Sequence, residues 1–300
     1  TANTKRHICG GWTLNWASAN EEDLDFQTVL EVLTKQMPNA NITYAKDLDT
    51  LRKVMNPNQH FDICINVVGE EPHSEWLGDT EDLKIEPQEA ALLEASFELE
   101  IPHILVSLIG RPMDVTEYEP KLNAILWAYL PGSEGSTPIV DILLGNISPS
   151  GKTPITYPLH AGQVPIYYNP RRYKTETSST SYQPLYPFGY GLSYTTFEYT
   201  DLVVSKANQL KVQVTITNTG TMKAKETALL YIIDGCTTVT RPVMSLKGFE
   251  KIELDINESK TIVFDLSEND LSYYDENYHF VFEPRTIKVK IANLEETIKL

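Results

Sequence analysis

Carboxylates crowd one short stretch of the sequence. Glu70, Glu71, Glu75, Asp79, Glu81 and Asp82 fall within Val67-Val-Gly-Glu-Glu-Pro-His-Ser-Glu-Trp-Leu-Gly-Asp-Thr-Glu-Asp-Leu83, with His73 and Trp76 among them. A positioned carboxyl group can give a proton to a leaving group and take one back from water. The stretch follows Asp62-Ile-Cys-Ile-Asn-Val-Val-Gly69, a short apolar run that reads as a buried strand. Ligands in open α/β sheets bind beyond the carboxyl ends of the strands, so this loop lies where a site would form. The plainer reading of the same residues is a solvated acidic loop, since charge runs mostly face water.

A second candidate is Cys9-Gly-Gly-Trp12-Thr-Leu-Asn-Trp16. Two indoles four residues apart can form a platform for the C–H faces of a pyranose. They can equally be core residues, the usual fate of large aromatics. Other chemistries leave no trace. The six His and three Cys are scattered without HExxH or metal-ligand spacing, and there is no GxSxG elbow, P-loop or helix-opening GxGxxG. Cys9, Cys64 and Cys236 are an odd number with no CxxC pair, which gives no disulfide framework.

The elements that must position these residues follow from patterning. The chain has 300 residues, room for about two domains. At 41% hydrophobic and 22% charged it can bury a core. A net charge of -16 argues against nucleic acid, whose phosphates need a basic footprint. No apolar run is long enough to span a membrane. In the first half, apolar runs at 62–69, 103–110 and 123–131 suit strands buried on both faces. Helical spacing lies between them: Val29, Leu30, Leu33 and Met37 after Asp25 as a cap; a helix opened by Pro87 and running to about Glu98; and one from Thr137-Pro138 to Leu144, stopped by Gly145. This alternation predicts an α/β sandwich with a mostly parallel sheet over 1–160.

Residues 161–197 are dense in Pro, Tyr, Ser and Gly and read as an ordered connector. Beyond them the period is two. Leu210, Val212, Val214 and Ile216 alternate with polar residues, as do Ile262, Phe264 and Leu266, and Ile287, Val289 and Ile291. Asn218-Thr-Gly220 and Asp234-Gly235 mark turns. Residues 198–300 therefore read as an all-β immunoglobulin or fibronectin type III-like sandwich.

Taken in order, the segments resemble glycoside hydrolase family 3 across nearly the whole chain. The resemblance rests on Cys9-Gly-Gly-Trp-Thr-Leu-Asn-Trp16, Gly69-Glu-x-Pro-x-x-Glu75-x-x-Gly-Asp79 and Gly110-Arg-Pro112. It continues through Ala124-Ile-Leu-Trp-Ala-Tyr-Leu-Pro-Gly-Ser-Glu-Gly135, Gly145-Asn-Ile-Ser-Pro-Ser-Gly-Lys-Thr-Pro154, Tyr186-Pro-Phe-Gly-Tyr-Gly-Leu-Ser-Tyr-Thr-Thr-Phe197 and Leu246-Lys-Gly-Phe249. The wording is similar to the β-glucosidase and glucan exohydrolase branch.

That resemblance implies an α/β sandwich followed by a fibronectin type III-like domain. It also implies that the first strand of the sandwich, and an upstream (β/α)8 barrel bearing an aspartate nucleophile, lie outside this sequence. It makes Glu75 the general acid/base and Trp16 a substrate contact at an outer sugar subsite. Trp12, Arg111, Trp127 and the 186–197 run become framework, and Glu70 and Asp79 shape the loop. His73 stands where relatives often carry an aromatic, and Trp76 adjoins Glu75, two departures that bear on substrate preference. The implied activity is retaining hydrolysis of terminal β-D-glucosyl residues, with a β-glucoside or β-glucan oligosaccharide as partner, no metal or organic cofactor required, and a secreted, periplasmic or lysosomal location. A β-xylosidase or N-acetylglucosaminidase fits the motifs less well. The competing expectation is a non-catalytic carbohydrate-binding or interaction module built from the same domains.

Overall fold

The computed structural model describes residues 1–16, 18–56, 58–171 and 183–300. The chain forms two compact units, Thr1–Asn146 with Pro158–Val164, and Ile147–Tyr157 with Pro165–Leu300. The middle of the expected connector, 172–182, lies outside the described residues.

The first unit is an α/β layer structure. Its three strands, β1 (Cys64–Gly69), β2 (His103–Leu108) and β3 (Ala124–Trp127), make one parallel sheet in the order β1-β2-β3. Gly69 pairs with Leu108, and Ser107 with Trp127. The apolar runs are nearly continuous because both faces of β2 are covered. Val106 and Leu108 meet Val29 and Val32 of helix α2 (Val29–Gln36) and Ile139 and Val140 of α5 (Ser136–Leu143), all nearly inaccessible to solvent. Leu105 points the other way by the period of two and is also buried. Helix α4 (Pro87–Ser96) lies between β1 and β2 in sequence and packs against β1 and α3 (Leu48–Val54).

Two helix ends differ from the pattern reading. The cap of α2 is Thr28, not Asp25. Thr28 Oγ1 accepts from the Glu31 N–H while the Glu31 carboxylate accepts from the Thr28 N–H at 2.7 Å, a reciprocal box that Asp25, three residues earlier, cannot make. Helix α4 stops at Ser96 and tightens into a 3-10 turn, Phe97–Leu99. Pro87 at the start of α4 and Gly145 after α5, at φ 74°, stand where they are expected. Two short helices, α1 (Lys5–Cys9) and α3, carry no helical stripe long enough to be read from sequence.

The second unit is an antiparallel β-sandwich. Strands β4 (Phe197–Lys206), β5 (Leu210–Asn218) and β8 (Ser259–Leu266) form one sheet, in the order β4-β5-β8. Strands β6 (Ala224–Asp234), β7 (Ser245–Leu254), β11 (Thr286–Ile291) and β12 (Leu294–Lys299) form the other, in the order β12-β11-β6-β7. A small hairpin, β9 (Tyr273–Tyr274) with β10 (Phe280–Val281), follows the one-turn helix α6 (Glu268–Leu271). The alternating residues all face one core: Leu210 to Ile216 from β5, Ile262 to Leu266 from β8, and Ile287 to Ile291 from β11 meet Leu230, Ile232 and Leu254. The two turn markers do more than turn. Asn218 is fully buried, and its amide donates to Met222 O at 2.8 Å and Leu254 O at 3.2 Å. Asp234 ends β6 buried against Arg285, whose Nη2 is 2.6 Å from Oδ1. Cys9, Cys64 and Cys236 are all free, and no helix among the described residues is long and apolar enough to cross a membrane.

Candidate active-site loops

Two loops of the first unit carry the candidate residues. One leaves α1. Thr4 caps that helix by accepting from the His7 N–H, Ile8 and Cys9 bury its last turn, and Gly10 closes it at φ 69°. The chain then runs through Gly11, Trp12, Leu14 and Trp16, with Trp12 at φ 65° and Leu14 at φ 62°. The other loop leaves β1 at Gly69, passes Glu70 and His73, and winds into a 3-10 turn, Glu75–Gly78. Glu75 opens that turn at φ 46°, a left-handed conformation that costs a residue with a Cβ about 1–2 kcal/mol. Such strain persists only where the surroundings over-determine it, and it concentrates at functional sites.

The surroundings are visible. Ser74, buried at 2% exposure, donates its hydroxyl to the Trp16 carbonyl. A methyl group at Gly11 would collide with the His73 carbonyl and the Ser74 hydroxyl, so only glycine lets the two loops approach this closely. Gly78 lies against the His73 imidazole in the same way. From the other side, Arg111, just past β2, places Nε 2.8 Å from Glu70 Oε1 and Nη2 2.7 Å from His73 Nε2. A guanidinium only donates, so His73 accepts at Nε2. Below the loop, Glu89 of α4 accepts the Gly69 N–H at 2.8 Å. Burial pushes the Glu89 carboxyl up to about 7, against the pull of that hydrogen bond.

The loop therefore has an anchored half and a free half. Glu70, Ser74, His73 and the Gly69 amide are tied to the scaffold. Glu75, Trp76 and Leu77 are exposed. The Trp76 ring meets Trp16, with centroids 5.4 Å apart and planes inclined at 49°. A cleft of about 650 Å3 opens beside the loop, walled by Glu70, His73, Asp79, Arg111, Asp114 and Tyr118; Glu75, Trp76 and Trp16 are not part of its wall. Among the described residues, no group of three or more His, Cys, Asp and Glu is arranged to hold a metal ion.

The structure thus brings Glu75 and Trp16 onto neighbouring loops at the carboxyl end of β1. Arg111, Glu70 and Asp79 are also here, the first two as a tether and Asp79 on the wall of the cleft. Trp12, expected in the framework, is 64% exposed. Glu89 escaped sequence reasoning because an acidic residue in the first turn of a helix ordinarily complements the helix dipole and faces water. Ser74 escaped because nothing in a lone serine between His and Glu marks it as a loop-to-loop tie.

Comparison with known proteins bears on the family and the fold. The family model of the Glycosyl hydrolase family 3 C-terminal domain matches residues 1–194, and that of the Fibronectin type III-like domain matches residues 226–294. The chain belongs to glycosyl hydrolase family 3, as its C-terminal region. A lysosomal beta glucosidase of Dictyostelium discoideum is 32% identical over 323 residues, covering 98% of this chain and 39% of that protein. A periplasmic beta-glucosidase of Salmonella typhimurium is 33% identical over 249 residues, covering 77% of this chain and 32% of that protein. The crystal structure of a beta-glucosidase from Listeria innocua in complex with isofagomine superposes with a TM-score of 0.86 at 26% identity, covering all of this chain and 45% of the other. The chain thus spans less than half the length of these relatives.

Proposed function

We propose that the chain supplies the general acid/base, Glu75, of a retaining β-glucosidase or exo-β-glucanase acting on terminal β-D-glucosyl residues. The observation that carries this reading is Glu75 itself. It is an exposed carboxyl held in a left-handed backbone at a loop tip beyond β1, beside an indole pair, in the position that the motif resemblance gives the acid/base.

In this reading the second carboxyl group, the nucleophile, comes from a (β/α)8 barrel upstream in the same enzyme. Retention calls for the two groups about 5–5.5 Å apart. Glu75 arrives protonated and gives its proton to the glycosidic oxygen as the nucleophile attacks the anomeric carbon. The leaving sugar departs as an alcohol. Glu75, now ionised, takes a proton from water as that water attacks the glycosyl-enzyme, and the cycle closes. The tether through Glu70, His73 and Arg111 holds the proton donor in place, which is where positioning earns its rate. The names of the two relatives above support an extracytoplasmic or lysosomal setting.

The test is hydrolysis of nitrophenyl β-glucoside by the chain extended upstream through the barrel, with Glu75→Ala beside it. The expected result is activity in the extended form, a collapse in the variant, and recovery on adding azide, a small anion that attacks the glycosyl-enzyme without base assistance. A variant as active as its parent would sink the assignment.

A further inference from the structure

The second unit displays a set of rings that its own core does not use. Its small hairpin, β9 with β10, buries Tyr273 beneath the guanidiniums of Arg241 and Arg285. By the period of two the next side chain points the other way. Tyr274 pairs with Phe280 across the hairpin, with ring centroids 5.2 Å apart and planes inclined at 52°. Tyr278 stands in the turn between them. Tyr274, Phe280 and Tyr278 are 64%, 51% and 86% exposed, so none of them fills a core. Apolar side chains scattered singly over a surface need no explanation, whereas rings gathered on one short ribbon mark an interaction site.

The ribbon is also held in shape. Asp275 Oδ1 accepts from the N–H groups of Asn277 at 2.8 Å and His279 at 2.9 Å. The Asp275 N–H donates to the His279 carbonyl at 2.9 Å, and the Tyr278 N–H to the Asp275 carbonyl at 3.2 Å. These bonds keep Tyr278 at φ 63°, a left-handed conformation that a tyrosine does not favour by itself. A surface fixed in this way saves the ordering cost that mobile side chains would spend on binding.

We propose that Tyr274, Phe280 and Tyr278 form a docking platform on the second unit for a neutral polysaccharide, a β-glucan chain. Aromatic faces pack against the C–H faces of pyranose rings, and the phenol hydroxyls and the exposed Glu276 and Asn277 can exchange hydrogen bonds with sugar hydroxyls. Area argues against a protein partner or a second copy. The three rings offer roughly 400 Å2 together, while a specific protein interface buries about 800 Å2 on each side. Charge argues against the anionic alternatives. Asp275 and Glu276 give the hairpin a negative sign and the whole chain carries -16, so an acidic glycan, a nucleic acid or an anionic membrane is repelled. A neutral glycan chain is also the kind of molecule that a glycosyl hydrolase meets. The proposal does not depend on the role of Glu75.

The test is native electrophoresis of the 300-residue chain through gels containing hydroxyethyl cellulose, a soluble neutral β-glucan, beside gels containing the anionic carboxymethyl cellulose. The chain should be retarded in the first, increasingly with polysaccharide concentration, and far less in the second. Tyr274→Ala combined with Phe280→Ala removes two ring contacts and should weaken the apparent affinity about tenfold with an unchanged far-UV spectrum. Tyr274→Trp, which keeps a ring face, should bind at least as well as the parent. Glu75→Ala should be retarded like the parent.

No retardation of the parent, equal retardation in both gels, or an undiminished effect in the double variant overturns the proposal. Loss of retardation in Glu75→Ala would assign the binding to the loop beyond β1 and also overturns it. Sedimentation of the chain alone as a dimer that the double variant abolishes would make the rings a self-association surface. Retardation of this chain but not of its upstream-extended form would make them a contact for the added domain. Either result overturns the platform as well.

Discussion

Arg111 reaches from the end of β2 to Glu70 at the end of β1, Nε to Oε1 at 2.8 Å, and touches His73 with its remaining arm. The pair is largely shielded, with side-chain exposures of 24% and 16%. Arg111→Ala would leave a shielded carboxylate without its cation, and a charged hydrogen bond of this kind is worth about 2 kcal/mol. The expected outcome is a lower urea midpoint at unchanged slope, followed by tryptophan emission. Arg111→Lys should restore less than half, since an ammonium cannot serve Glu70 and His73 from one planar fork.

Glu89 makes the stability of the first unit depend on pH. Burial raises its carboxyl to about 7 in the folded protein, while an unfolded Glu titrates near ~4.3. Between those values the folded state holds the extra proton. Stability from this group is therefore greatest below ~4.3 and falls as pH rises toward 7, by on the order of 3 kcal/mol in all. Glu89→Gln keeps an acceptor for the Gly69 N–H and removes the titration. Its unfolding midpoint should lose that part of the slope and exceed the parent's at pH 8. Parallel pH profiles for the two proteins would refute this.

On the proposed acid/base role, the left-handed backbone at Glu75 sets catalysis against stability. Asparagine tolerates that region far better than glutamate. Glu75→Asn should raise the unfolding free energy by about 0.5–1 kcal/mol while abolishing proton donation. A thermal melt beside the glucoside assay reads both effects.

In the second unit, Asp234 accepts Arg285 Nε at 2.7 Å and Nη2 at 2.6 Å, and takes Arg241 Nε at 3.1 Å. Both guanidiniums lie over the Tyr273 ring. Asp234→Ala strands the buried Arg285 charge and should cost about 3–5 kcal/mol, seen as an early loss of strand signal in circular dichroism. Adding Arg285→Met should return part of that loss, because the stranded charge is then gone.

Sequence pattern reached far in this protein where one physical demand dominates. Strands β1 and β2 were legible because a strand covered on both faces must be apolar throughout, and β5, β8 and β11 because a half-covered strand must alternate. Gly145 and Pro87 were legible because no other residue suits those positions as well. What stayed hidden arises only from three-dimensional proximity. Thr28 displaced Asp25 as a cap because Glu31 sits at the right spacing to answer it. Asp234 resembled a turn residue until Arg285, 51 positions later, came alongside. In the site, Glu75 and Trp16 were reachable only through the motif resemblance. The carboxylate run by itself reads equally as a solvated surface, and the contact of Trp16 with Trp76 depends on Gly11 being small enough to let two loops touch.

The division of the Glu75 loop into a tied half and a free half has an evolutionary consequence. Changes at 69–74 disturb Arg111, Glu89 and Ser74 together, so that half resists drift. At the tip the Trp76 and Leu77 side chains are exposed, and the Trp76 ring meets Trp16. On the proposed role of Glu75, a lineage can therefore exchange those two side chains without re-founding the loop that presents the carboxyl group.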